Sequence, residues 1–205
     1  MWSSLTYSCQ SKLDYWLRLM PPSETHNAAE AVDQALLAAA ESLGVAARDP
    51  ITQARLRLAA RMRGGGMRAR GLVRLIAFVA CFIESVERMF GVASMPVLHR
   101  CFGHGAFAEG GPRLTAFLLA DGPVAREFSV AWRALQQMVA GSGVTGPLDD
   151  AVAFAGASRG DSRHLQRAIT AQLEQVFRDR LHSDIAAFRL AVRRRRARPL
   201  EEYGY

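Results

Sequence analysis

The part of the sequence best suited to charge recognition is an arginine cluster interrupted by glycines. No acidic residue occurs between Asp49 and Glu84, whereas seven arginines do: Arg55, Arg57, Arg61, Arg63, Arg68, Arg70 and Arg74. A guanidinium group presents a planar fork of donors that matches phosphate oxygens, so the cluster favours an anionic partner. Arg61, Arg63, Arg68 and Arg70 flank the glycines, and we predict that these four contact nucleic-acid phosphates.

A second basic cluster lies near the end of the chain, in Arg193, Arg194, Arg195 and Arg196. Two interpretations are open for this run. It is either a patch that binds nucleic acid or directs nuclear import, or a solvated helix end whose cations suit the helix dipole. The formal net charge is +7 with Lys12 as the sole lysine, which fits an anionic partner and equally fits GC-rich coding.

The remaining reactive side chains do not form a catalytic pattern. His99, Cys101 and His104 are close in sequence but lack the paired spacing of a zinc site, so we predict no metal. The Asp149–Asp150 pair follows a linker and fits a helix N-terminus better than a metal-binding carboxylate pair. The glycines do not match a nucleotide-binding loop. We therefore expect no enzyme activity, cofactor or small-molecule substrate.

The elements that position these groups are predicted to be helices throughout, which makes the chain all-α: an irregular multi-helix bundle with a long C-terminal amphipathic helix. Pro21 and Pro22 end the first helix, predicted over residues 5–19. Ser23 or Asn27 is expected to cap the second, with Glu30 completing a capping box. That helix is predicted to end at Gly44.

The later helices follow from further proline and glycine signals. Pro50 is placed to open a third helix and Pro123 another, which runs to about Val139. A fourth helix is predicted from Ala69 to Phe90. A short one begins at Pro112 or Arg113 and runs to Leu119, and the last is capped by Asp161 or Ser162. Its apolar stripe comprises Leu165, Ile169, Leu173, Val176, Phe177, Phe188 and Val192.

These patterns divide the chain into three predicted regions. Residues 1–95 are helical, residues 96–160 hold short helices and linkers, and residues 161–205 form the long basic helix and tail. Gly64, Gly65 and Gly66 are the predicted hinge of the first region, because a sharp corner needs positive φ or close backbone approach. We expect the arginines to lie on the solvent side of that corner.

The cellular setting is predicted to be intracellular, nuclear or cytoplasmic. The N-terminal residues have no secretory pattern, and three scattered cysteines do not make a disulfide framework. The most apolar run, Leu75–Ile83, is far shorter than the ~20 residues of a membrane span. We therefore predict neither secretion nor a membrane span.

The first half of the chain resembles the region that follows the polymerase domain in non-LTR retrotransposon reverse transcriptases. The resemblance covers roughly residues 11–90 and is carried by four stretches: Ser11–Thr25, Ala29–Gly44, Arg55–Arg70 and Leu75–Phe82. Members of that family often have a proline where this chain has Ala59, and their glycine pattern is only loosely kept here. The family's catalytic motif, an aromatic residue followed after one position by two aspartates, does not occur in this sequence.

The resemblance implies a non-catalytic fragment or relic of such an element, with weak, sequence-independent affinity for RNA or DNA backbones. It also implies that the arginines at the glycine corner would lie near a template–primer backbone. The competing hypothesis is a helical protein-interaction module, which docks a partner helix or self-associates and has no nucleic-acid role. A third is a membrane-surface binder that uses the basic C-terminal helix.

Overall fold

The computed structural model describes residues 10–90, 123–144 and 165–197, and within them the chain is helical with no strand. The predicted all-α class, with a long C-terminal helix in an irregular bundle, is confirmed. The helices are α1 (Gln10–Leu19), α2 (Pro22–Ser42), α3 (Pro50–Arg57), α4 (Arg70–Phe90), α5 (Pro123–Val139) and α6 (Leu165–Ala197). A 3-10 turn at Ala60–Met62 follows α3.

Helices α3 and α5 begin at the prolines that predicted them, Pro50 and Pro123. Asp49 caps α3, because its carboxylate accepts a 2.7 Å hydrogen bond from the backbone N–H of Thr52. The Thr52 hydroxyl donates to the same carboxylate. These two hydrogen bonds lower the pKa of Asp49.

The predicted cap of α2 is wrong. The helix begins at Pro22, directly after Pro21, and neither Ser23 nor Asn27 is its cap. The backbone N–H of Ser23 instead donates to the Glu127 carboxylate of α5 at 3.1 Å. A carboxylate from a distant helix, and not a local capping side chain, therefore accepts from a backbone N–H in the first turn of α2. The predicted helix at 113–119, and the predicted caps Asp161 and Ser162, lie outside the described residues.

Helix α4 is the centre of the bundle and contacts α1, α2, α5 and α6. Almost every side chain of its apolar run Leu75–Ile83 is buried, with Cys81 half-buried. A helix that is apolar on all sides is stable in water only when neighbours cover it all round. The run that is too short for a membrane span is thus the core helix of the protein.

The main core lies between α4, α5 and α6. Phe82 of α4 stacks on Phe128 of α5 with ring centroids 4.4 Å apart, and Phe128 stacks in turn on Trp132 at 6.3 Å. Ile169 and Leu173 of α6 are fully buried against them. Residues from all three predicted regions therefore contribute to a single core.

The apolar stripe predicted along α6 divides into two parts. Its first part, from Leu165 to Val176, is buried, and burial continues to Leu181. Beyond that residue the helix is largely exposed, and Phe188 keeps 59% of its surface accessible. The pattern correctly predicted the helix but overestimated how far its stripe is buried. Among the described helices, none combines the length and apolarity needed to cross a membrane.

Candidate nucleic-acid interface

The arginine cluster surrounds a tight reversal of the chain after α3. Leu58 is extended, and the glycine segment turns back against the end of that helix. The backbone N–H groups of Gly65, Gly66 and Met67 donate to the carbonyls of Arg55, Leu58 and Leu56 at 3.0, 2.8 and 2.9 Å. These bonds fix the chain as a hydrogen-bonded corner, with residues 55–58 beside residues 65–67.

Two of the three glycines have a definite steric role in this corner. A Cβ atom on Gly64 would lie 2.3 Å from the carbonyl oxygen of Leu58, so a side chain does not fit. Gly66 has a φ of +74°, a left-handed conformation that glycine adopts without strain. Arg63 also has positive φ, at 60°, which turns the chain just before the glycines. The close approach and the positive φ expected from the sequence are both present.

The position of Arg70 contradicts the expectation that all of these arginines lie on the solvent side of the corner. Arg70 is not on that side, since only 1% of its surface is accessible. Its guanidinium forms an ion pair with Asp14 of α1, while its backbone N–H donates to Asp33 of α2 at 2.8 Å. Burial lowers the pKa of the Arg70 guanidinium, and the charges of Asp14 and Asp33 oppose that effect. A phosphate has no access to this guanidinium while the helices stay packed.

Asp33 explains why Arg70 lies where it does. Its carboxylate also accepts from the backbone N–H of Gly71 at 3.2 Å, so it holds the first two amide groups of α4. Those amides have no partner within their own helix and carry the positive end of its dipole. The start of α4 is therefore a fixed ionic junction between three helices, and the Arg70 side chain belongs to it.

Arg74 is also structural. Its guanidinium donates to the backbone carbonyl of Pro22, at the start of α2. The residue is half-buried, and desolvation lowers the pKa of its guanidinium, with Glu30 and Glu127 acting in the opposite direction. Arg70 and Arg74 together use their charge within the fold.

Arg61 is exposed but engaged. Its guanidinium forms an ion pair with Glu174 of α6, and the two side chains are 54% and 10% accessible. A carboxylate that is almost buried needs such a partner, because an unpaired charge in that position is costly. A phosphate would have to displace Glu174 to bind Arg61, so this predicted contact is already occupied by an internal anion.

The other predicted contacts of this cluster, Arg63 and Arg68, are exposed. So are Arg55 and Arg57, which the sequence-based selection left out. Their neighbours Leu56 and Leu58 are buried, and this alternation of leucine and arginine is the signal that would have identified them. We call the exposed set the arginine corner; it consists of Arg55, Arg57, Arg63 and Arg68.

The second predicted patch is separate from the arginine corner. Arg193 is exposed near the end of α6, and Arg194, Arg195 and Arg196 belong to the same helix, although their side chains lie outside the described part. At 1.5 Å per residue, Arg193 lies about 28 Å along the helix from Glu174, the residue that pairs with Arg61. The structure does not bring the two clusters together.

His99, Cys101, His104, Asp149 and Asp150 lie outside the described residues. Within the described part, no three or more histidine, cysteine or acidic side chains are grouped as a metal site would need. Comparison of the chain with protein-family models, with curated proteins and with solved structures found no match in any of the three. The resemblance to reverse transcriptases therefore stays a prediction, and the geometry of the arginines is the basis for a function.

Proposed function

We propose that this protein binds the phosphate backbone of RNA or DNA, without sequence specificity, through the arginine corner. The observation that carries the proposal is the exposure of four guanidinium groups on one short reversal of the chain. Residues 50–83 contain no carboxylate that could neutralise them locally. A fixed array of exposed arginines attracts polyanions by releasing the counterions condensed on the phosphates.

The corner is suited to backbone contact rather than to reading bases in a groove. Its arginines project from the last turn of α3 and from a tight turn, and Arg63 is held by a left-handed backbone. Reading a duplex sequence requires a helix or ribbon that enters the major groove with several side chains on base edges. Contacts to phosphates position a protein but do not select a sequence.

We also propose, from the resemblance alone, a non-catalytic origin in a retroelement reverse transcriptase. The resembling stretches extend over α1 to α4, the part of the chain that contains both the ionic junction at α4 and the arginine corner. An intracellular location, nuclear or cytoplasmic, follows from a nucleic-acid partner. In this proposal the chain keeps backbone affinity and performs no polymerase chemistry.

The test is a salt titration of binding to labelled single-stranded RNA and duplex DNA. Arg55 and Arg63 are changed to alanine together, and the control changes Arg133 and Arg167, which are equally exposed on α5 and α6. Each pair removes two charges, so the variants share one net charge. We expect the slope of log affinity against log salt to fall by about 0.7–0.9 per lost contact in the corner variant.

The control variant should keep the wild-type slope. Equal slopes for the two variants would show that net charge, not the corner, attracts the nucleic acid. Absence of binding by the wild type at low salt would overturn the proposal outright.

The competing function, a helical interaction module, is favoured by the exposed outer half of α6. Phe188 and Leu190 are 59% and 50% accessible there, and they are apolar side chains that a partner helix would bury. Sedimentation at several protein concentrations tests this function. Self-association that Phe188→Ser abolishes, and that salt barely changes, would support it; a monomer at all concentrations would count against self-association.

A further inference from the structure

A cleft opens next to the arginine corner, between α2, α3, α4 and α6. Its volume is about 560 Å³, within the range of small-molecule and nucleotide pockets. Its inner wall is aliphatic and includes the buried residues Ile76, Leu173 and Leu181. The half-buried ring of Phe177 adds an aromatic surface to that wall. The cleft is therefore apolar inside and large enough to admit a flat ring.

Charged side chains surround this apolar space. The arginines that line it, Arg57, Arg68 and Arg180, are all exposed, and two of them belong to the arginine corner. Arg180 comes from α6 and donates to the carbonyl of Met138 at 2.8 Å, which holds its guanidinium in place. Arg180 on α6 thus adds a third guanidinium to the two that the arginine corner contributes to the cleft.

Four carboxylates also line the cleft, and two of them have hydrogen-bond or ion-pair partners within the fold. Asp33 holds the first amides of α4, and Glu174 is paired with Arg61. The other two, Glu30 and Asp184, are exposed. Guanidinium and carboxylate groups therefore share the entrance, which suits a ligand that has anionic oxygens for the first and hydrogen-bond donors for the second.

A nucleotide with an unstacked base has this combination of groups. Its base is a flat π system that can stack on an aromatic ring, its phosphate binds guanidinium, and its amino groups donate to carboxylates. A base inside a duplex is stacked on both faces and paired at its edge, so it cannot enter the cleft unless the pair opens. A nucleic acid whose backbone is bound at the arginine corner can therefore place a base in the cleft only where it is single-stranded.

We infer that the cleft takes an unstacked base of a single-stranded nucleic acid, stacked on Phe177, with its adjoining phosphates on Arg57, Arg68 and Arg180. The inference rests on the proposed backbone binding and adds a preference to it. The arginine corner holds any nucleic acid, and the cleft makes the protein favour single strands over duplexes.

The experiment compares a single-stranded oligonucleotide that carries 2-aminopurine with its duplex of the same length. The variant is Phe177→Leu, which removes the aromatic ring and keeps an apolar side chain. The matched control is Tyr15→Leu on α1, where the ring is exposed and does not line the cleft. Circular dichroism checks that both variants keep the helical fold.

We expect the wild type to bind the single strand more tightly and to change the 2-aminopurine emission. Phe177→Leu should weaken single-strand binding about 5- to 10-fold, toward the lower end of base-stacking contributions, and leave duplex binding unchanged. Tyr15→Leu should behave as the wild type. A second variant, Ala54→Phe, places a large ring in the cleft from α3 and should have the same selective effect.

Equal affinity of the wild type for the single strand and the duplex, with no change in 2-aminopurine emission, would overturn this inference. The backbone proposal would still stand in that case if the Arg55 and Arg63 double variant lowered the salt slope. Loss of single-strand and duplex binding to the same extent in Phe177→Leu would also overturn the inference, because the ring would then act through the fold.

Discussion

The arginine corner and the start of α4 are neighbours in sequence and opposites in environment. Arg68 and Arg70 are two residues apart, but Arg68 is exposed whereas Arg70 is 1% accessible and paired with Asp14. Both regions are rich in arginine and contain no acidic residue of their own. What separates them is their position in the fold: the start of α4 is packed against carboxylates from two other helices, Asp14 and Asp33, whereas the arginine corner lies at the exposed end of α3 and in the turn that follows it.

This difference shows that a run of arginines is not one functional unit. Guanidinium groups that enter the bundle are neutralised and become part of its stability, because a buried charge must be paired. Those that stay outside remain accessible to solvent and to a binding partner. A phosphate-binding assignment is therefore meaningful for Arg55, Arg57, Arg63 and Arg68, and Arg70 needs a different explanation.

The largest effect should come from separating the ion pair at the start of α4. Asp14→Ala removes the carboxylate that is paired with the buried Arg70 guanidinium, and we expect a loss of about 3 kcal/mol in the free energy of unfolding. The control is Arg48→Ala, which breaks the exposed pair with Glu41 and should cost at most about 1 kcal/mol. Urea unfolding followed by circular dichroism measures both. If both variants lose a similar amount of unfolding free energy, the pair of Arg70 contributes no more than an exposed pair does. The contrast between the start of α4 and the arginine corner would then be wrong.

The corner itself should depend on its backbone more than on its charges. Gly64→Ala puts a Cβ against the Leu58 carbonyl, and the resulting distortion should cost about 2–3 kcal/mol of stability, as overpacking does. Gly44→Ala is the comparison, because Gly44 has a φ of +82° with no neighbouring atom within 4 Å. Its cost should be about 1 kcal/mol, from backbone strain alone. If thermal unfolding ranks the two variants the other way, the close approach at Gly64 is relieved by some other movement.

The pair of Arg61 and Glu174 shares a feature with each region. Arg61 is exposed, like the arginine corner, and it is paired with a carboxylate, like Arg70 at the start of α4. Glu174→Gln removes the internal anion without changing the side-chain shape, so Arg61 becomes available to phosphate. We expect affinity for RNA to rise a few-fold and the salt slope to steepen by about 0.7–0.9, the value of one added contact. Adding Arg61→Ala to this variant should cancel the gain. A gain that persists without Arg61 would mean that Glu174 acts through general charge repulsion.

The smallest effect concerns the side-chain cap of α3. Asp49→Ala removes the local cap of α3 and should lower the melting temperature at neutral pH by a few degrees. Since the pKa of Asp49 is lowered in the fold, its contribution is complete above the unfolded pKa of about 3.9 and is lost as pH falls through the lower folded value. The gap between wild type and variant should therefore close below about pH 4. A gap that is independent of pH would point to packing rather than to the carboxylate.

Local patterns in the sequence were sufficient for much of the fold. Prolines opened α3 and α5 where expected, because proline at the first helical position needs only its own fixed φ. The apolar run of α4 indicated a core helix, and the glycines indicated a corner with close backbone approach. The local cap at Asp49 follows the same logic, since donor and acceptor are three residues apart.

Tertiary contacts decided the features that bear most on function. Arg70 and Asp14 are 56 residues apart and Arg61 and Glu174 are 113 apart, so no local rule pairs them. The carboxylates that hold the starts of α2 and α4 likewise come from other helices.

The sequence by itself determined that the chain is all-α, where several of its helices break, and that it carries a dense group of arginines. Only the packing of the helices decided which of those arginines are exposed and that a cleft lies beside them. The physical reason is that helix propensity and turn geometry act over a few residues. Burial and ion pairing depend instead on which distant segments come into contact.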